Sequence, residues 1–134
     1  MTGFEEIEHT ADRAFRVTGR DFAELLENAA RAMQSITGPS PGNGMTATRE
    51  VEVEGVDRES LLVNWLNEIL YLEQVQRLIC ERFHIDELAK YRVRARVDTR
   101  ACHQSVSHIK AATFHNLKIR ETAEGLEAEV VFDV

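Results

Sequence analysis

The stretch Tyr91-Arg-Val-Arg-Ala-Arg-Val97 sets Tyr91, Val93, Ala95 and Val97 against Arg92, Arg94 and Arg96. Successive side chains of a strand point to opposite faces, so this segment predicts a strand with one apolar and one charged face. The same alternation recurs around it. Val51 and Val53 lie among Glu50, Glu52 and Glu54, and Leu117 and Ile119 beside Lys118 and Arg120. Leu126, Ala128, Val130 and Phe132 alternate with Glu127, Glu129 and Asp133, with Val131 the exception. Such one-sided strands belong to antiparallel or mixed sheets that bury one face and wet the other. Ile79-Glu-Arg-Phe-His-Ile85 reads either as a strand or as an extension of a preceding helix, being too short for periodicity to separate the two.

Two helices complete the pattern. Phe22, Leu25, Leu26, Ala29, Ala30, Met33 and Ile36 form one stripe of a 3.6-residue period, with Asp21 as cap and Glu24 three residues on. Asp57 opens a second helix whose apolar side carries Leu62, Trp65, Leu66, Ile69 and Leu72. Between them, residues 37–47 hold both prolines and three of the seven glycines, which predicts a loop. The reading is an α+β fold: a mixed or antiparallel sheet with two amphipathic helices packed on one face. A length of 134 residues fits a single domain spanning 1–134.

Composition narrows the function. With 16 basic against 23 acidic residues the net charge is −7, which disfavours strong direct nucleic-acid binding, since phosphates are held mainly by Lys and Arg. The Arg92-Arg94-Arg96 face reads as a solvated ladder paired with Glu50–Glu54 or Glu127–Glu129, because no aromatic residues interleave it for base stacking. No run approaches the ~20 apolar residues of a membrane helix, and the acidic Met1–Phe15 region does not read as a signal peptide. The expectation is a cytoplasmic protein without a membrane partner. Cys80 and Cys102 read as free thiols. Cys102, His103, His108 and His115 lack the paired spacing of a zinc site and read as a polar, His-rich segment.

Two acidic segments stand out. Glu8-His-Thr-Ala-Asp12 follows the first strand signal at Phe4 and Ile7 and has the residues of a capped turn. Asp133 is the penultimate residue of a strand, where aspartate is depleted, and lies beside the α-carboxylate of Val134.

In their order and spacing, five motifs resemble the archease family over almost the whole chain. They are His9-Thr-Ala-Asp12, the Asp21-to-Met33 helix, Leu61-Leu-Val-Asn-Trp-Leu-Asn-Glu-Ile-Leu-Tyr-Leu72, Ile109-Lys-Ala-Ala-Thr-Phe-His115 and Val130-Val-Phe-Asp-Val134. After the first motif this chain has Arg13-Ala14 where the family often has an apolar residue and glycine. The resemblance implies a non-catalytic accessory protein of the RtcB-type RNA ligase, which joins 2′,3′-cyclic phosphate or 3′-phosphate ends to a 5′-hydroxyl in tRNA splicing and RNA repair. Such proteins promote guanylylation of the ligase, permit multiple turnover and can alter its nucleotide use. The resemblance further implies a metal site, occupied by calcium in crystals, at Asp12, Asp133 and a main-chain oxygen of Val134, and a functional lysine at Lys110.

The residue chemistry agrees with that mapping. Two carboxylates and a main-chain oxygen form an all-oxygen set suited to Ca²⁺, Mg²⁺ or Mn²⁺. Lys110 with His9 or His115 would add phosphate-compatible donors. Two other readings use the same residues: a stand-alone metal-dependent hydrolase built on Asp12, His9 and Asp133, and a chaperone-like module for RNA-processing proteins.

Overall fold

The computed structural model describes residues 3–7, 13–37, 44–102, 109–113 and 117–133. In chain order the elements are β1 (Phe4–Ile7), β2 (Arg13–Gly19), α1 (Phe22–Thr37), β3 (Thr46–Glu54), α2 (Arg58–Gln74), β4 (Leu78–Ala89), β5 (Arg92–Ala101), β6 (Ala111–Thr113), β7 (Ile119–Thr122) and β8 (Gly125–Asp133). All strand pairs among them are antiparallel. The α+β expectation holds, with the strands divided between two sheets. One runs β1-β2-β8, with β6 and β7 both paired to β8; the other runs β3-β5-β4. Both helices touch both sheets, α1 through β2, β8 and β4, and α2 through β3, β4 and β6. A single apolar core therefore joins them.

Capping fixes where each helix starts. Asp21 accepts the Glu24 N–H at 2.9 Å, and the Glu24 carboxylate reaches back to the Arg20 N–H at 3.1 Å. Asp57 and Ser60 form a reciprocal capping box on α2. Of the expected loop 37–47, Thr37 closes α1 while Thr46 and Ala47 open β3, so the connection is shorter than its composition predicts. Helix α1 is amphipathic as expected. Helix α2 buries a broader face: Leu61, Leu62, Val63, Trp65, Leu66, Ile69, Leu70, Leu72 and Glu73 are buried, while Asn64, Tyr71 and Gln74 on the opposite side are exposed. That face meets β3 and β4 of one sheet and β6 of the other. Trp65 is fully buried there, donating its indole N–H to the Leu26 carbonyl at 2.9 Å and meeting Phe83 edge to face.

The ambiguous segment around Ile79–Ile85 is a strand. β4 carries two bulges against β5, with Glu81 between the pairs Cys80↔Thr99 and Arg82↔Asp98, and Asp86 between Ile85↔Ala95 and Glu87↔Arg94. Each bulge shifts the parity of the faces. Both extra residues are acids aimed at arginines of β5, Glu81 at Arg100 (3.3 Å) and Asp86 at Arg96 (2.8 Å). Cys80 is buried, Cys102 half-buried, and both are free thiols. None of the described helices is long and apolar enough to cross a membrane.

Candidate functional site

The register of β8 draws the sequence motifs together. Its last residues pair on both sides: Phe132 lies opposite Arg13 of β2 and Ala112 of β6, and Asp133 opposite Ala111. Because all three strands are antiparallel neighbours, β2 and β6 both begin where β8 ends. Arg13 directly follows the His9-Thr-Ala-Asp12 motif, and Lys110 directly precedes β6. Lys110 is exposed, and its main-chain N–H donates to the Asp133 carbonyl at 2.7 Å. That bond extends the β6–β8 ladder to the acidic residue itself.

Neighbouring elements hold these strand ends. Arg13 donates to both carboxylate oxygens of Glu6 on β1, at 2.5 and 2.7 Å. The bidentate geometry holds the Glu6 carboxyl below the usual carboxylate range and raises Arg13. The short β6 is clamped from α2. Asn67 accepts the Ala112 N–H at 2.9 Å and donates to the Ala112 carbonyl at 3.4 Å, while Gln74 donates to the Ile109 carbonyl. Sequence reasoning did not single out Asn67 or Gln74. The signal for Asn67 was a lone amide inside the apolar run Leu66 to Leu72, where a buried polar group needs a partner.

Of the expected site residues, the structure describes Asp133, half-buried at the end of β8, and Lys110. His9, Asp12, His115 and Val134 lie outside the described residues, as do His103 and His108. Among the described residues no three His, Cys, Asp or Glu side chains gather as a metal group.

One concavity among the described residues lies elsewhere. It measures about 630 Å³, is lined by residues including Phe4, Arg16, Arg20, Glu24, Leu126 and Glu127, and sits at the opposite end of β8 from Asp133. Its arginines are already engaged, Arg16 by Glu5 at 2.6 Å and Arg20 by Glu24 at 2.9 Å. That leaves the β2–β8–β6 end as the stronger candidate. The arginine ladder is also paired, with Arg92 at 3.4 Å from Glu52, Arg94 at 2.6 Å from Glu87 and Arg96 at 2.8 Å from Asp86. The expected partner strand, Glu50–Glu54, lies directly opposite it in β3, and β4 supplies the other acids.

The fold and the converging strand ends define a small two-sheet α+β protein whose described motif residues gather at one sheet end. Residues 4–134 match the Archease protein family (MTH1598/TM1083), and the chain belongs to that family. It is 36% identical to Protein archease of Methanosarcina acetivorans over 142 residues, covering 98% of this chain and 95% of that protein. With the Methanothermobacter thermautotrophicus archease it shares 30% identity over the full length of both. The fold matches the solution structure of Methanobacterium thermoautotrophicum protein 1598, with a TM-score of 0.73, 29% identity and complete coverage of both chains. It also matches the crystal structure of a Thermotoga maritima archease described as a possible chaperone, with a TM-score of 0.69, 27% identity and coverage of 97% and 96%.

Proposed function

We propose that this protein activates an RtcB-type RNA ligase, promoting its guanylylation and multiple turnover in tRNA splicing and RNA repair, without catalysing ligation itself. One observation carries the reading: the β2–β8–β6 register gathers Arg13, Lys110 and Asp133 at a single sheet end. Three of the five motifs behind the archease resemblance contribute to that end or adjoin it. A sheet end carrying exposed Lys110 and half-buried Asp133 can be presented to a partner's active site.

Asp12, Asp133 and a main-chain oxygen of Val134 would hold a divalent cation there, and their all-oxygen chemistry fits Ca²⁺, Mg²⁺ or Mn²⁺. The Asp133 side chain suits this role, since the residue is half-buried while its own carbonyl is already bonded to Lys110. The cation would supply positive charge at an acidic tip and relieve carboxylate repulsion. On this reading the protein works in the cytoplasm, where its ligase partner acts on RNA.

The test incubates radiolabelled GTP with the cognate ligase, with and without this protein. Label should accumulate faster on the ligase at substoichiometric amounts of the activator and never on this chain. Asp133→Asn and Asp12→Asn should each remove the stimulation. A stable label on this chain, or full stimulation by both variants, would overturn the proposal. The chaperone-like description of the Thermotoga relative favours a coarser second reading, in which the ligase is merely kept folded. In that case activation would survive both Asn substitutions.

A further inference from the structure

Among the described residues, four of the five outer strands are short or have their free edge covered. β1 has four residues. The edge of β4 is met by α1, where Gln34 donates to the Cys80 and Glu81 carbonyls and Glu27 accepts the Ile85 N–H. The main chain of β6 is held by Asn67, and the Ile119 N–H at the start of β7 by Glu59. β3 differs. It is nine residues long and, among the described residues, pairs only with β5.

The direction of its main-chain groups follows from two bonds that bracket it. Ala101 N–H donates to the Met45 carbonyl and Gly55 N–H to the Tyr91 carbonyl, both at 2.9 Å. In an antiparallel ladder hydrogen-bonded pairs alternate, so Ala47, Arg49, Val51 and Val53 turn their N–H and C=O toward β5. Thr46, Thr48, Glu50 and Glu52 turn theirs outward. Asn64 takes the outward Glu54 carbonyl at 2.9 Å, and among the described residues nothing bonds the outward groups of the other four. Thr46 to Glu50 are all exposed, and Met45 and Val56 expose apolar side chains at the two ends.

Charge selects the occupant. Across the wet face of this sheet the rows alternate: acids Glu87 and Asp86 on β4, arginines 92, 94 and 96 on β5, glutamates 50, 52 and 54 on β3. The next row in that order is basic. A second copy of β3, added antiparallel and centred on its acidic half, sets glutamate against glutamate, which is destabilising. Charged edges of this kind prevent self-association while remaining open to a complementary strand. We infer that β3 is a docking edge for an extended segment of a partner protein with Lys or Arg at alternate positions, added as a fourth strand to the β3-β5-β4 sheet.

The probe is a capped seven-residue peptide alternating lysine and valine, added to the isotope-labelled full chain. Amide exchange at Thr46, Thr48, Glu50 and Glu52 should slow by about tenfold at saturation, with affinity falling as salt rises. The same peptide N-methylated at its lysines keeps the charge but cannot pair with the edge, and it should give no such protection. Glu50→Lys with Glu52→Lys should lose the lysine peptide and bind one alternating glutamate and valine. Equal protection by the methylated peptide would overturn the inference. So would protection of the same amides by a dimer of this chain without peptide, or peptide-induced changes confined to other elements. The ligase is absent from these measurements, so they stand or fall apart from the activation assay.

Discussion

Asn67 grips Ala112 with both ends of its amide, accepting the Ala112 N–H and donating to the Ala112 carbonyl. A three-residue strand cannot hold itself, so this pair ties β6, and with it Lys110, to the rigid helix α2. Asn67→Ala should cost about 1–2 kcal/mol in urea unfolding, near 1 kcal/mol for each lost bond. It should also speed amide exchange at Ala112 more than at Val130 in the centre of β8. Uniform acceleration would mean that Asn67 supports global stability alone.

Glu73 carries a pH dependence. It is 3% exposed, its Oε1 has no hydrogen-bond partner among the described residues, and burial raises its carboxyl to about 7. The native chain therefore keeps this proton between the ordinary value of 4.5 and about 7, a range where the unfolded chain has released it. Stability from this group falls as pH rises through that window and levels above it, by at most about 3 kcal/mol. Glu73→Gln should be more stable than the parent at pH 8, with the gap closing near pH 4.5. Glu6, Glu24 and Asp86, whose values are lowered by arginines, act in the opposite direction in both proteins and cancel in the comparison. A gap independent of pH would show that Glu73 does not titrate in this range.

The arginine ladder should bind RNA poorly. Arg92, Arg94 and Arg96 already face carboxylates, and the whole chain carries −7. Micromolar or tighter affinity for tRNA at about 0.15 M salt, lost on changing these arginines, would contradict this. The bridges are exposed, so each single Arg→Ala change should leave the urea-unfolding midpoint nearly unchanged.

Lys110→Ala tests the tip from its basic side. The side chain is exposed, and its structural bond to Asp133 uses the main chain, which alanine retains. Unfolding free energy should shift by less than about 0.5 kcal/mol. Ligase guanylylation should nonetheless slow, because the ammonium would serve as a mobile point charge for phosphate. Unchanged activation kinetics would leave Lys110 as a solvated lysine.

Much of this fold was legible in alternation. Tyr91–Val97 and Leu126–Phe132 read as strands because the pleat forces period two wherever one face is wet. The same rule failed on β4, since the bulges at Glu81 and Asp86 reset its parity twice within twelve residues. The division into two sheets was not legible, because a one-sided strand does not reveal which neighbour it pairs with. Nor was the width of the buried face of α2, which adds Leu61, Val63, Leu70 and Glu73 to the apolar side read from periodicity. At the candidate site, Asp133 and Lys110 were found through motifs, and their adjacency emerged only from the β6–β8 register. Asn67 and Glu73 both sit in the apolar α2 run, and only packing distinguishes the clamp from the unpartnered acid.

The chain has one tryptophan, and its surroundings make it an optical gauge of a particular kind. Trp65 is sealed from solvent at the junction of α1 and α2, hydrogen-bonded to Leu26 and stacked edgewise on Phe83. Its emission is therefore blue in the folded protein and shifts red only when that junction opens to water. Denaturation can be followed on the unmodified molecule without an added dye. Helix α2 packs on β3, and Asn64 beside Trp65 holds the Glu54 carbonyl, so a change in colour during a binding titration on that strand would report a disturbance passed through α2.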